Sequence, residues 1–169
     1  MEILSDHHRF LEGYIHLSDI QLSGLPTTTN VKGHKLLRKD EFHISLVDVN
    51  GVANLIDPQS VDNIEAEIIE EFKKFLEQYK LDKFRLLNQF RYVVKDIRKT
   101  VIVMCDVPDA EEFFALLGRK YKKSLPRQPN HITLYTLQEN RGIGILSDEE
   151  LAEYSEPINL PELEKVKRA

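Results

Sequence analysis

Two short segments of the chain, Phe42-His43-Ile44-Ser45-Leu46 and Asn130-His131-Ile132-Thr133-Leu134-Tyr135, carry the same order of imidazole, apolar residue, hydroxyl and leucine. In an extended strand alternate side chains share a face, so each segment would present its imidazole and hydroxyl together while Ile44, Leu46, Ile132 and Leu134 turn into a core. An imidazole works as acid or base near neutral pH, and two of them on opposite sides of a phosphorus can exchange those roles. Hydroxyls beside them would donate to non-bridging oxygens as charge builds in the transition state. His43 and His131 are therefore the candidate catalytic pair and Ser45 and Thr133 the candidate phosphate-binding groups. This chemistry needs no metal and no other cofactor.

The bare pattern occurs a third time, in His16-Leu17-Ser18, but there Asp19 follows where the other two copies have leucine. His16 is the internal competitor for the role given to His43, or a substrate contact on a neighbouring strand. By strand alternation Tyr135 shares a face with His131 and Thr133, where it would stack on a base, donate to phosphate, or fill the edge of the sheet. Arg119, Lys120, Lys122, Lys123 and Arg127 form a cation run ahead of the second motif, either a solvated surface or an attractor of phosphate with Arg127 as a substrate contact. His7, His8 and His34 have surface or loop contexts. A metal site built from His16, His43, His131 and Asp48 is the chemical rival, against which the ligand spacing counts.

The composition narrows the setting. A chain of 169 residues with 28 Asp plus Glu against 23 Lys plus Arg has a net charge of −5, which argues against coating long nucleic acid by phosphate neutralisation. A single cysteine, Cys105, excludes an intrachain disulfide framework and a four-thiolate zinc site. Neither an export signal nor an apolar run of membrane-spanning length is legible, so the expectation is a cytoplasmic protein without a membrane partner.

The elements that must hold the two motifs follow from periodicity and turn residues. After a polar N-terminus, residues 11–20 read as a strand, residues 23–35 as a loop, and Phe42 to about Val49 as the first motif strand ended by Asn50-Gly51. From Pro58 to Tyr79, Val61, Ile64, Ile68, Phe72, Phe75 and Tyr79 recur at steps of three and four, the spacing of a helix with one buried face. Residues 84–95 and 100–107 read as a hairpin, and Asp109 to Gly118 as a short helix. The second motif strand follows, with Gly142 and Gly144 spaced for a close backbone approach into a short final strand. Ser147 would then cap a terminal helix, and the remainder is expected to be a surface tail. The order gives two roughly matching α+β halves, each delivering one motif.

With these residues in place the chain resembles the 2H phosphoesterase superfamily, whose pattern of His, apolar residue, hydroxyl and apolar residue is met by His43-Ile44-Ser45-Leu46 and His131-Ile132-Thr133-Leu134. The resemblance implies a bilobal α+β fold, two antiparallel sheets facing a central cleft with helices packed outside. It implies one domain over residues 1–169 with lobes of roughly 1–82 and 83–169. It implies a metal-independent hydrolase acting on 2′,3′-cyclic phosphate or 2′,5′-phosphodiester groups of RNA ends or small nucleotides, and a monomer whose partner is a small cyclic nucleotide or RNA terminus. A non-catalytic nucleotide- or RNA-end-binding module with the same cleft is the alternative.

Overall fold

The computed structural model describes residues 1–138 and 141–169. Its strands are β1 (Glu2–Ile3), β2 (His8–Leu11), β3 (Tyr14–Ile20), β4 (Leu22–Ser23), β5 (Thr28–Val31), β6 (His34–Arg38), β7 (Phe42–Asp48), β8 (Arg85–Lys95), β9 (Arg98–Asp106), β10 (His131–Thr136), β11 (Ser155–Ile158) and β12 (Lys167–Arg168). The helices are α1 (Val49–Ile56), α2 (Val61–Gln78), α3 (Ala110–Tyr121) and α4 (Asp148–Tyr154), with one 3-10 turn at Pro161–Leu163. The protein is α+β, built on an antiparallel sheet whose main path runs β1-β2-β3-β7-β10-β9-β8-β11, with the β5–β6 hairpin joined to β10 through β6. The two motif strands, far apart in sequence, are neighbours at the middle of that path, with Ile44 paired to Ile132.

One face of the sheet holds the main core. Ile44, Leu46, Ile132 and Leu134 lie in it with Val52 and Ala53 of α1, Ile68 and Phe72 of α2, and Phe113 of α3. The apolar stripe that predicts α2 is the stripe that is buried, and Phe72 meets Phe113 edge to face across the α2–α3 contact at 5.2 Å between ring centres. Each such side chain contributes roughly 1.5–3 kcal/mol of burial. On the opposite face Ile102 and Met104 of β9, Val93 of β8, and Ile143 and Ile145 form a smaller cluster. His131 pairs with Met104 and Thr133 with Ile102, so both point to this second face, against which α4 packs Leu151 and Tyr154.

Several expectations are corrected. Residues 23–35 are no plain loop: the Lys32-Gly33 turn, both residues at positive φ, closes the β5–β6 hairpin, a two-residue connection that matches strand twist. Asn50-Gly51 does not end a strand but lies inside α1, where Asp48 caps by accepting from the Gly51 N–H at 2.8 Å. Helix α3 runs past Gly118 to Tyr121. Residues 143–146 form no strand, although Ser147 caps α4 as expected by accepting from the Glu150 N–H. The polar N-terminus forms β1 and β2, and the expected tail supplies β11 against β8, β12 against β4 and the fully buried Leu163. No helix among the described residues is long and apolar enough to cross a membrane.

Candidate active site

Antiparallel pairing at Ile44 and Ile132 sets His43 across from Thr133 and Ser45 across from His131, all four on one face. The two imidazoles therefore sit on a diagonal of the strand pair, a separation of about 7–8 Å at the backbone in regular sheet geometry. Each has the other motif's hydroxyl beside it. His16 joins them from β3, opposite Ser45. Its Nδ1 shares a 3.2 Å hydrogen bond with Ser45 Oγ, its ring centre is 4.2 Å from that of His43, and Tyr14 stacks on its other side at 5.9 Å.

Both motif strands are bulged immediately after the hydroxyl. On β7, Ile15 pairs with Val47 and His16 with Ser45, leaving Leu46 as the extra residue. On β10, Thr133 pairs with Ile102 and Tyr135 with Val101, leaving Leu134 extra. A bulge moves the following side chain to the other face. Tyr135 is accordingly not on the imidazole face: it is fully buried in the main core and its hydroxyl donates to the Pro26 carbonyl at 2.7 Å, which corrects the expectation of base stacking. Gln128 completes the β7 bulge, accepting from the Asp48 N–H at 2.8 Å and donating to the Ser45 carbonyl at 3.4 Å.

Arg127 is held elsewhere, by Glu111 at 2.5 Å and Asp106 at 3.9 Å, at the start of α3 and the end of β9. Others of its cation run are likewise engaged, Lys120 with Glu71 and Lys123 with the Leu55 carbonyl. His8, expected at the surface, is buried: Nε2 donates to the Leu81 carbonyl at 2.9 Å and Nδ1 is 2.7 Å from Ser5 Oγ.

Burial sets the protonation of the cluster. It pulls His43 down to about 3, helped by the nearby charges of His16, Lys39 and His131, and His16 down to about 4, opposed by a backbone hydrogen bond at Leu11. His131 is lowered for the same reason, against a hydrogen bond to Pro129. All three imidazoles are neutral at pH 7. A carbonyl only accepts, so the 3.3 Å contact between His131 Nδ1 and the Pro129 carbonyl puts the proton on Nδ1 and leaves Nε2 with a free lone pair. Among the described residues nothing hydrogen-bonds the ring of His43, so both of its nitrogens are open.

A cleft of about 680 Å³ opens on this face, lined by His16, His43 and Ser18 and bordered by Arg9, Arg38 and Lys39. His131 does not line it, and the residue is only 6% exposed. Residues 141–146 cover that part of the face, a Cβ on Gly142 falling 3.7 Å from Thr133 Oγ1 and one on Gly144 falling 2.5 Å from the Tyr14 hydroxyl. The spacing of the two glycines was legible as close backbone approach, and Tyr14 is the partner it serves. Lys39, which carries no motif, was missed. Among the described residues no group of three or more His, Cys, Asp or Glu side chains is arranged to hold a metal ion. Neither a protein-family model, nor a curated protein, nor a solved structure matches the chain.

Proposed function

We propose that the protein is a metal-independent phosphodiesterase of the 2H phosphoesterase kind, acting on a 2′,3′-cyclic phosphate or a 2′,5′-linked phosphodiester of an RNA end or small nucleotide. The observation that carries the reading is the diagonal of His43 and His131 across the β7–β10 seam, each imidazole beside the other strand's hydroxyl. A phosphorus between them has a nitrogen on either side, and Ser45 and Thr133 are placed for its non-bridging oxygens. His131, with Nδ1 protonated, offers Nε2 to remove the proton from the attacking oxygen. His43 takes the role of acid once the bound anion raises its proton affinity, and delivers that proton to the leaving oxygen. The two-lobed arrangement is part of the proposal: strands β1, β2, β3 and β7 lie on one side of the seam and β8, β9, β10 and β11 on the other, each set drawn from one half of the chain.

Turnover of a panel of 2′,3′-cyclic nucleotides and of 2′,5′- and 3′,5′-linked dinucleotides in EDTA tests the reading. His43→Asn and His131→Asn are each expected to lower kcat by about 10²–10⁴-fold, the usual contribution of a positioned acid or base. Parent-like turnover by His131→Asn would end the two-histidine mechanism. The second reading, recognition of a phosphorylated nucleotide end without turnover, is favoured by one observation, the burial of His131 away from the cleft. Binding of an adenosine 2′-phosphate without hydrolysis of any cyclic or 2′,5′-linked substrate would establish it.

A further inference from the structure

Three cations border the 680 Å³ cleft. Arg9 is committed within the protein, donating to the carbonyls of Ser5 and His8 and pairing with Asp19 at 3.6 Å. Arg38 donates to the Leu25 carbonyl at 2.7 Å. Lys39 is different. Its backbone N–H is fixed on the carbonyl of Leu134, the bulged residue of β10, at 2.9 Å, so the second motif strand itself sets its position. Among the described residues its ammonium makes no hydrogen bond and no ion pair.

Lys39 is only partly exposed, and burial lowers its pKa against the opposing pull of Glu41. Its charge reaches both His16 and His43. A half-desolvated ammonium with no partner, beside two neutral imidazoles, carries a cost that nothing in the free protein offsets. An anion would offset it. Leu22, Leu25 and Ser18 also line the cleft, with the carboxylates of Asp19, Asp40 and Glu41, surroundings that suit an uncharged nucleoside and repel a second phosphate.

We propose that Lys39 is the cationic anchor of the cleft, holding the non-bridging oxygens of a single phosphoryl group beside His43, and that the ligand carries one phosphate there rather than a string of them. The choice of a nucleotide phosphate as the ligand rests on the phosphodiesterase reading; the position of the anion rests on the cleft alone. Charge-assisted hydrogen bonds of this kind are worth enough that losing them weakens binding about 10- to 100-fold.

The test is calorimetric binding of adenosine 2′-phosphate to the full chain and to Lys39→Met, with Lys39→Gln in reserve should the methionine variant not fold, alongside turnover of adenosine 2′,3′-cyclic phosphate. Expected are a Kd raised about 10- to 100-fold by either substitution and a thermal midpoint no lower than that of the parent, since the charge removed has no partner. An equal Kd in parent and variant, or no binding by the parent, overturns the role of Lys39. Lys39-dependent binding without any turnover keeps the anchor and removes the phosphodiesterase. Turnover with KM and kcat unchanged in Lys39→Met does the reverse. Tripolyphosphate binding as tightly as adenosine 2′-phosphate would overturn the single-phosphate restriction.

Discussion

Acidification from pH 7 to pH 5 should destabilise this protein through His16 and His43, and the size of the effect follows from their burial. In the unfolded chain each imidazole titrates near its ordinary value of 6.5, whereas in the folded protein His16 is held at about 4 and His43 at about 3. At pH 7 the folded protein binds no proton at these sites and each unfolded imidazole holds only about a quarter of one. At pH 5 the unfolded chain has protonated both and the folded protein has not, so the unfolded state gains. The sign is therefore a loss of stability as pH falls below 6.5, continuing until the folded values are reached. Between pH 7 and 5 each group accounts for about 2 kcal/mol and the pair for about 4, a large part of an ordinary domain's stability. The figure at pH 5 is insensitive to how far below 5 the folded values lie. Urea unfolding at both pH values, in the parent and in His16→Asn/His43→Asn, isolates the term, because His8, His131 and Asp48 titrate in both proteins and cancel. The parent should lose about 4 kcal/mol more than the double variant over this interval. Equal losses in the two proteins would show that these imidazoles are solvated in the folded state, and the account of a buried neutral cluster would fall with them.

Two substitutions probe the walls of the site. Gly144→Ala places a methyl 2.5 Å from the Tyr14 hydroxyl. It should cost about 1–3 kcal/mol of stability by overpacking, and less than half that in a Tyr14→Phe background, a non-additivity that urea unfolding of the four proteins would detect. Tyr135→Phe removes the hydrogen bond to the Pro26 carbonyl and should cost about 1 kcal/mol with KM and kcat for any substrate unchanged; a raised KM would return Tyr135 to the ligand.

What could be read in the sequence is what repeats locally. The spacing from Val61 to Tyr79 forecast α2 because one buried stripe decides a helix, and the β8–β9 hairpin followed from two apolar runs with a polar turn between them. The motif strands were legible for the same reason. What was missed depends on partners far away in the chain. Strand β11 contains Ser155, Glu156 and Pro157, a poor strand by composition, and exists because the edge of β8 is open to it. His8 looks like a surface residue until the Leu81 carbonyl arrives to receive its Nε2–H. Lys39 lies in a charged run, Arg38-Lys39-Asp40-Glu41, whose composition gives no sign that one member is half-buried beside two imidazoles.

The leucine shared by the two motifs has a structural reason that strand alternation conceals. In β7 the extra residue is Leu46 and in β10 it is Leu134, so in each strand two consecutive side chains, Leu46 with Val47 and Leu134 with Tyr135, enter the core. A straight strand would put the second of each pair on the imidazole face, crowding the cleft with a valine and a tyrosine. The bulge clears that face just past each hydroxyl, and it also releases backbone groups from the ladder. The Leu134 carbonyl accepts from Lys39 and the Asp48 N–H donates to Gln128, each binding a segment that borders the imidazole cluster. The repeat therefore encodes two things at once, a reactive pair on one face and the kink that keeps the space in front of it open. In the third copy β3 is also irregular just past its hydroxyl, with one residue more than β7 between Leu17 and Ile20, but there the following residue, Asp19, sits at positive φ and stays exposed. A buried leucine against an exposed aspartate after the hydroxyl, rather than the bare His-x-hydroxyl pattern, separates the two seam strands from the third copy.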